Sequence, residues 1–78
     1  MPRFFFHLHN DLESADDEGR ELPDIEAARR AAEQDARDMA AESVRAGHLT
    51  RSHFVEVAGE DGEPRFCVTF GEVVEIRD

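Results

Sequence analysis

The sequence predicts an α+β fold, with one long helix packed on one face of a small three- to four-stranded antiparallel or mixed sheet in β-(β)-α-β-β order. Three observations carry this expectation. Residues 3–9 alternate with a period of two, residues 24–46 form an Ala-rich run with small side chains at helical spacing, and residues 53–58 and 65–70 alternate again across a Gly-rich loop. One helix covers only one face of a sheet. A chain of 78 residues allows a single domain, residues 1–78.

Each element follows from its residues. In 3–9, Phe4, Phe6 and Leu8 fall on one face of a strand, and Phe5, His7 and His9 on the other. Asn10-Asp11 signals a turn, with short extended pieces expected at Leu12–Ala15 and Gly19–Leu22 around a polar Asp-Asp-Glu-Gly loop. Leu22-Pro23-Asp24 starts the helix, since Asp24 can cap free N–H groups and Glu26 lies at the positive end of the dipole. Gly47 supplies the left-handed stop. The predicted buried stripe is Ile25, Ala28, Ala32, Ala36, Met39, Ser43 and Val44. Glu26/Arg30 and Glu33/Arg37 have ion-pair spacing on the opposite face, so Arg29, Arg30, Arg37 and Arg45 read as solvated. The expected core is Phe4, Phe6, Leu8, Ile25, Met39, Val55, Val57, Phe66, Val68, Phe70 and Ile76, the last on a short terminal strand over 73–76.

Charge and composition exclude several classes of function. The chain carries nine Arg and no Lys against 19 acidic residues, net charge −10. Nucleic-acid binding needs a basic face, and anionic membrane surfaces repel an acidic one, so neither partner is expected. No segment approaches the roughly 20 apolar residues of a membrane span, and the N-terminal apolar run is too short and too His-interrupted for a signal peptide. The expected location is therefore cytoplasmic. The single Cys67 rules out an intrachain disulfide.

Pro2-Arg3-Phe4-Phe5-Phe6-His7, Asp17-Glu18-Gly19 and Glu21-Leu22-Pro23-Asp24-Ile25-Glu26-Ala27-Ala28 together resemble a family of small bacterial proteins of unknown function. That family opens Pro-Arg-aromatic-Phe-Phe-His and enters its helix through Glu-Leu-Pro-Asp. The resemblance implies a small stand-alone domain and brings no activity, catalytic residue or cofactor with it.

Candidate sites come from the residues alone. His7 and His9, two apart on a strand, share a face, and with Glu56 or Cys67 on neighbouring strands they make a candidate site for a late transition metal. An EF-hand calcium loop is excluded by spacing: with Gly19 as its sixth residue, the first is Ser14 and the twelfth Ile25, where acidic oxygens are needed. No nucleophile elbow, phosphate-cradling loop or zinc-ribbon cysteine set occurs, so no catalytic residue and no cofactor is expected. Phe5, His7, His9 and Phe54 share the sheet face away from the helix and are the interface candidates. The expected function is a small non-enzymatic interaction or regulatory domain that self-associates as a homodimer through that face. A metal-binding protein using His7 and His9, and an acidic inhibitor of a basic protein partner, are the alternatives.

Overall fold

A computed structural model covers all 78 residues. The elements are β1 (Arg3–His9), β2 (Glu13–Ser14), β3 (Arg20–Glu21), α1 (Ile25–Arg45), β4 (Phe54–Ala58), β5 (Pro64–Thr69) and α2 (Phe70–Val73). The sheet order is β2-β1-β4-β5, with β3 on the same edge of β1 as β2, and every pairing is antiparallel. This is the expected α+β fold, with five strands where three or four were expected because both short pieces of 10–22 pair with β1.

The helix forms where its caps dictate. The Asp24 side chain accepts a hydrogen bond from the Ala27 N–H at 2.8 Å. At the other end the Gly47 N–H donates to the Val44 carbonyl and the His48 N–H to the Ser43 carbonyl. That is the Schellman arrangement, with Gly47 at φ 98°. Between the caps, Ala28, Ala32, Ala36 and Ala40 are the buried residues of α1. With only methyl groups on this stripe, the backbone approaches β4 and β5, which α1 overlies together with α2. Phe4, Phe6, Val55, Val57, Val68 and Phe70 complete the core, and Leu8, Met39 and Phe66 pack against it from its margin.

Several expectations at the ends of elements are corrected. Ile25 and Val44 are 41% and 60% exposed, and Ala40 takes the buried position instead. The 21-residue helix is about 32 Å long, whereas the seven-residue β1 spans only about 23 Å, so the ends of α1 overhang the sheet. The terminal strand does not form. Thr69 and Glu72 instead make a capping box, in which the Thr69 N–H donates to Glu72 Oε1 at 2.7 Å and the Glu72 N–H to Thr69 Oγ1 at 3.2 Å. This Thr-x-x-Glu signature starts a helical turn at Phe70, and Ile76 is left 61% exposed. The helical ion pairs also differ. Neither Glu26/Arg30 nor Glu33/Arg37 closes; Arg29 lies 4.3 Å from the Phe66 ring centroid, and Arg37 Nε donates to the Val73 carbonyl at 3.1 Å.

The close approach of α1 generates a prediction. Ala32→Leu, at a position with no exposure, is expected to lower the unfolding free energy by about 1–3 kcal/mol, the usual cost of overpacking. Val44→Ala, on the overhang, is expected to change it by less than about 0.5 kcal/mol. Urea unfolding followed by circular dichroism measures both.

Candidate functional site: the outer face of the sheet

Strand register places the candidate residues in rows across the face that α1 leaves uncovered. Phe5 lies opposite Ala58; His7 opposite Glu56, which is opposite Cys67; and His9 opposite Phe54, which is opposite Thr69. The sequence-derived set Phe5, His7, His9, Phe54, Glu56 and Cys67 therefore does share one face. Cys67 is an exposed free thiol.

The face is less open and less aromatic in character than the alternation implies. Phe5 and Phe54 are half-buried. The main chain at Gly19 presses on the edge of β1: a Cβ there would lie 3.0 Å from Phe5 Cε2 and 2.9 Å from the Phe4 carbonyl oxygen, and the residue sits at φ 72°. Phe54 is covered on one side by the His9 ring, stacked at 4.5 Å between centroids and 13° between planes. His9 in turn lies between two carboxylates, Glu13 Oε1 at 3.5 Å from Nδ1 and Glu56 Oε1 at 3.6 Å from Nε2. That Nε2 is buried and makes no hydrogen bond.

The two candidate histidines line one cleft with Glu13 and Glu56 but have different polar partners. His7 Nδ1 accepts a hydrogen bond from the Asp16 N–H at 3.0 Å, which fixes the proton of a neutral ring on Nε2. No group of three or more His, Cys, Asp or Glu side chains is placed to hold a metal ion.

Asp16 is the residue that reading the sequence alone passed over. β2 and β3 both pair with β1, but the chain bulges away between them, and Phe6 would lose its hydrogen-bond partner on that edge. The Asp16 carboxylate fills the gap. Oδ2 accepts from the Phe6 N–H at 3.0 Å, and Oδ1 from the Glu18 and Gly19 N–H groups at 3.1 and 3.0 Å. Partial burial works against its ionisation, but the N–H groups of Phe6, Gly19 and Glu18 and the nearby His7 outweigh burial and hold the carboxyl below its ordinary range. The sequence signal was an acid two residues before Glu18 and three before a positive-φ Gly, an Asx-type turn within what read as a solvated acidic loop.

A family model described as a domain of unknown function, DUF6894, matches residues 3–71. The chain belongs to this family. The match runs from β1 into α2, so the outer face, the Asp16 plug and the alanine stripe all lie within it. Neither the curated proteins nor the solved structures give a match. No helix is long and apolar enough to cross a membrane.

Removal of the plug is predicted to be costly. Asp16→Ala leaves three backbone donors without their acceptor, and a loss of about 2–3 kcal/mol is expected at neutral pH, in the range for hydrogen bonds to charged groups. Because the folded-state pKa is depressed, the charged carboxylate contributes stability above the unfolded value of about 3.9 and loses it as pH falls through the lower folded value. The gap between wild type and Asp16→Ala is therefore expected to narrow on acidification. Denaturant midpoints measured from neutral pH down to about pH 3 check this.

Proposed function

We propose that the chain is a small, non-enzymatic cytoplasmic interaction domain that pairs with a second copy of itself through the outer face of the sheet. The observation that carries this reading is architectural. The fold is two layers, 16 Å across in its shortest direction, and apart from strand pairing the main packing on β4 and β5 comes from α1 and α2. One face of the sheet therefore meets solvent in a single copy.

Two features favour a second copy over sheet extension. The free edge, β5, is blunted: it begins with Pro64, a register irregularity follows near Ala58, and the Thr69 N–H is taken by Glu72. The rows His7–Glu56–Cys67 and His9–Phe54–Thr69 carry one carboxylate and two imidazoles, in a chain of net charge −10. Two such chains repel each other over most of their surfaces, and this strip is where apposition costs least. A two-fold axis through it brings two weakly charged strips together, an arrangement suited to an isologous dimer.

Sedimentation velocity tests the reading. The wild type is expected to be dimeric at tens of micromolar, and Phe54→Asp and Cys67→Arg are each expected to give monomer. Cys67 is exposed, so its substitution acts on association rather than folding. A monomeric wild type, or variants that stay dimeric, would overturn the proposal.

A further inference from the structure

On the helix side, α1 lies over β4 and β5 and leaves the inner face of β1 at the margin. A groove opens there between β1 and the flank of α1. One part, about 210 Å³, is floored by Leu8 and Met39 with Phe6 and Val55 beneath. A second part, about 250 Å³, shares Met39 and continues past Leu12, which is 76% exposed. The two parts lie end to end along α1 and share Met39, a shape that suits a row of side chains.

The helix side of the groove is acidic, while Asp11 lies beside His48 and His53 in its second part. Asp35 and Asp38 line its first part and Glu42 its second, at positions i, i+3 and i+7 along one flank of α1. Asp38 accepts one hydrogen bond, from Gln34, and Glu42 meets Arg45 only at 3.4 Å. The chain itself shows the chemistry this rim accepts. The Arg20 guanidinium stacks 4.0 Å from the Phe6 ring centroid and pairs with Asp35. From Asp35 to Ala46 the groove follows about 17 Å of helix, the length of three turns of a partner helix.

We infer that this groove docks a basic amphipathic helix of a partner protein, its apolar face seated on Leu8, Met39 and Leu12 and its Arg or Lys side chains paired with Asp38 and Glu42. Charge selects this occupant. A second copy carries net −10 and is repelled by the same carboxylates, whereas a basic amphipathic segment satisfies both the apolar floor and the acidic rim. The inference is independent of self-association, which uses the opposite face.

The test uses fluorescence anisotropy with a labelled peptide of roughly 14 residues, about 20 Å as a helix, built from Leu, Arg and Lys with one apolar face. A scrambled peptide of the same composition is the control. Both are titrated at about 0.15 M salt, where long-range attraction is screened. The amphipathic peptide is expected to bind at least about tenfold more tightly than the scrambled one. Asp38→Lys combined with Glu42→Lys, and Met39→Ser, are each expected to weaken it about tenfold. Leu12→Ser, at an exposed position, gives the same reading if Met39→Ser fails to fold, and Glu26→Gln, exposed at the other end of α1, is expected to leave binding unchanged. Equal binding of the two peptides, or undiminished binding by the rim and floor variants, would overturn the inference. So would a change of oligomeric state in the Asp38→Lys, Glu42→Lys protein, since that would make the occupant a second copy.

Discussion

The structure depends on how closely one helix can approach one sheet. Ala28, Ala32, Ala36 and Ala40 put only methyl groups between the α1 backbone and the strands, so Val55, Val57, Val68 and Phe70 are driven to near-zero exposure. A close helix is also a narrow cover. It encloses β4 and β5 but not the full width of the sheet, and the aromatic rings at its two flanks need another cover. Both flanks use the same device: Arg20 lies over Phe6 on the β1 side, and Arg29 over Phe66 on the β5 side. A guanidinium seals an aromatic edge while its charge stays in water. Larger residues on the helical stripe would widen the cover but lift the helix off the sheet.

The edges of the sheet are managed as economically as its face. β1 is paired on one side by β4 and on the other by two two-residue strands, with a carboxylate standing in for the backbone between them. The Gly19 backbone fits against Arg3, Phe4 and Phe5 only because no side chain is present, and its positive φ turns the chain back toward β3. At the far edge, α2 leaves β5 immediately and its capping box occupies the Thr69 N–H. With one edge plugged and the other blunted, extension of the sheet by another strand is disfavoured at both edges.

Much of this was legible in the residues. Alternation in 3–9, 53–58 and 65–70 placed the strands and their inward faces, because a period of two needs no tertiary information. The caps Asp24 and Gly47 placed the helix for the same reason. The misreadings fall where a long-range quantity decides. Ile25 and Val44 continue the helical stripe, but whether they are buried depends on the length of a sheet made from other segments. Val74 and Ile76 alternate like a strand, but the local Thr69/Glu72 cap wins because it forms without a pairing partner. Within the candidate site, the shared face of His7, His9, Phe54 and Cys67 followed from parity alone. The cover that Gly19 and the His9 ring place on Phe5 and Phe54 did not, since it requires the register between β1, β3 and β4.

The acidic character takes a different meaning once the side chains are in place. In the sequence, residues 10–23 carry six acids and look like a solvated loop. In the structure their carboxylates are largely committed to the chain itself: Asp16 to three N–H groups, Glu21 to Arg3, Glu13 to the neighbourhood of His9, and Asp11 to His48 and His53 at 3.8 and 3.5 Å. On the α1 flank, Asp38 and Glu42 each keep one internal partner, Gln34 and Arg45, and border the apolar floor. Four of the six acids in the densest run of negative charge are thus tied to the chain itself, and a sparser set on the helix lies beside Leu8 and Met39. A basic amphipathic segment is attracted where carboxylates stand beside apolar surface. Asp38 and Glu42 meet that condition in the groove, whereas of the loop acids Asp11 alone reaches it, beside His48 and His53.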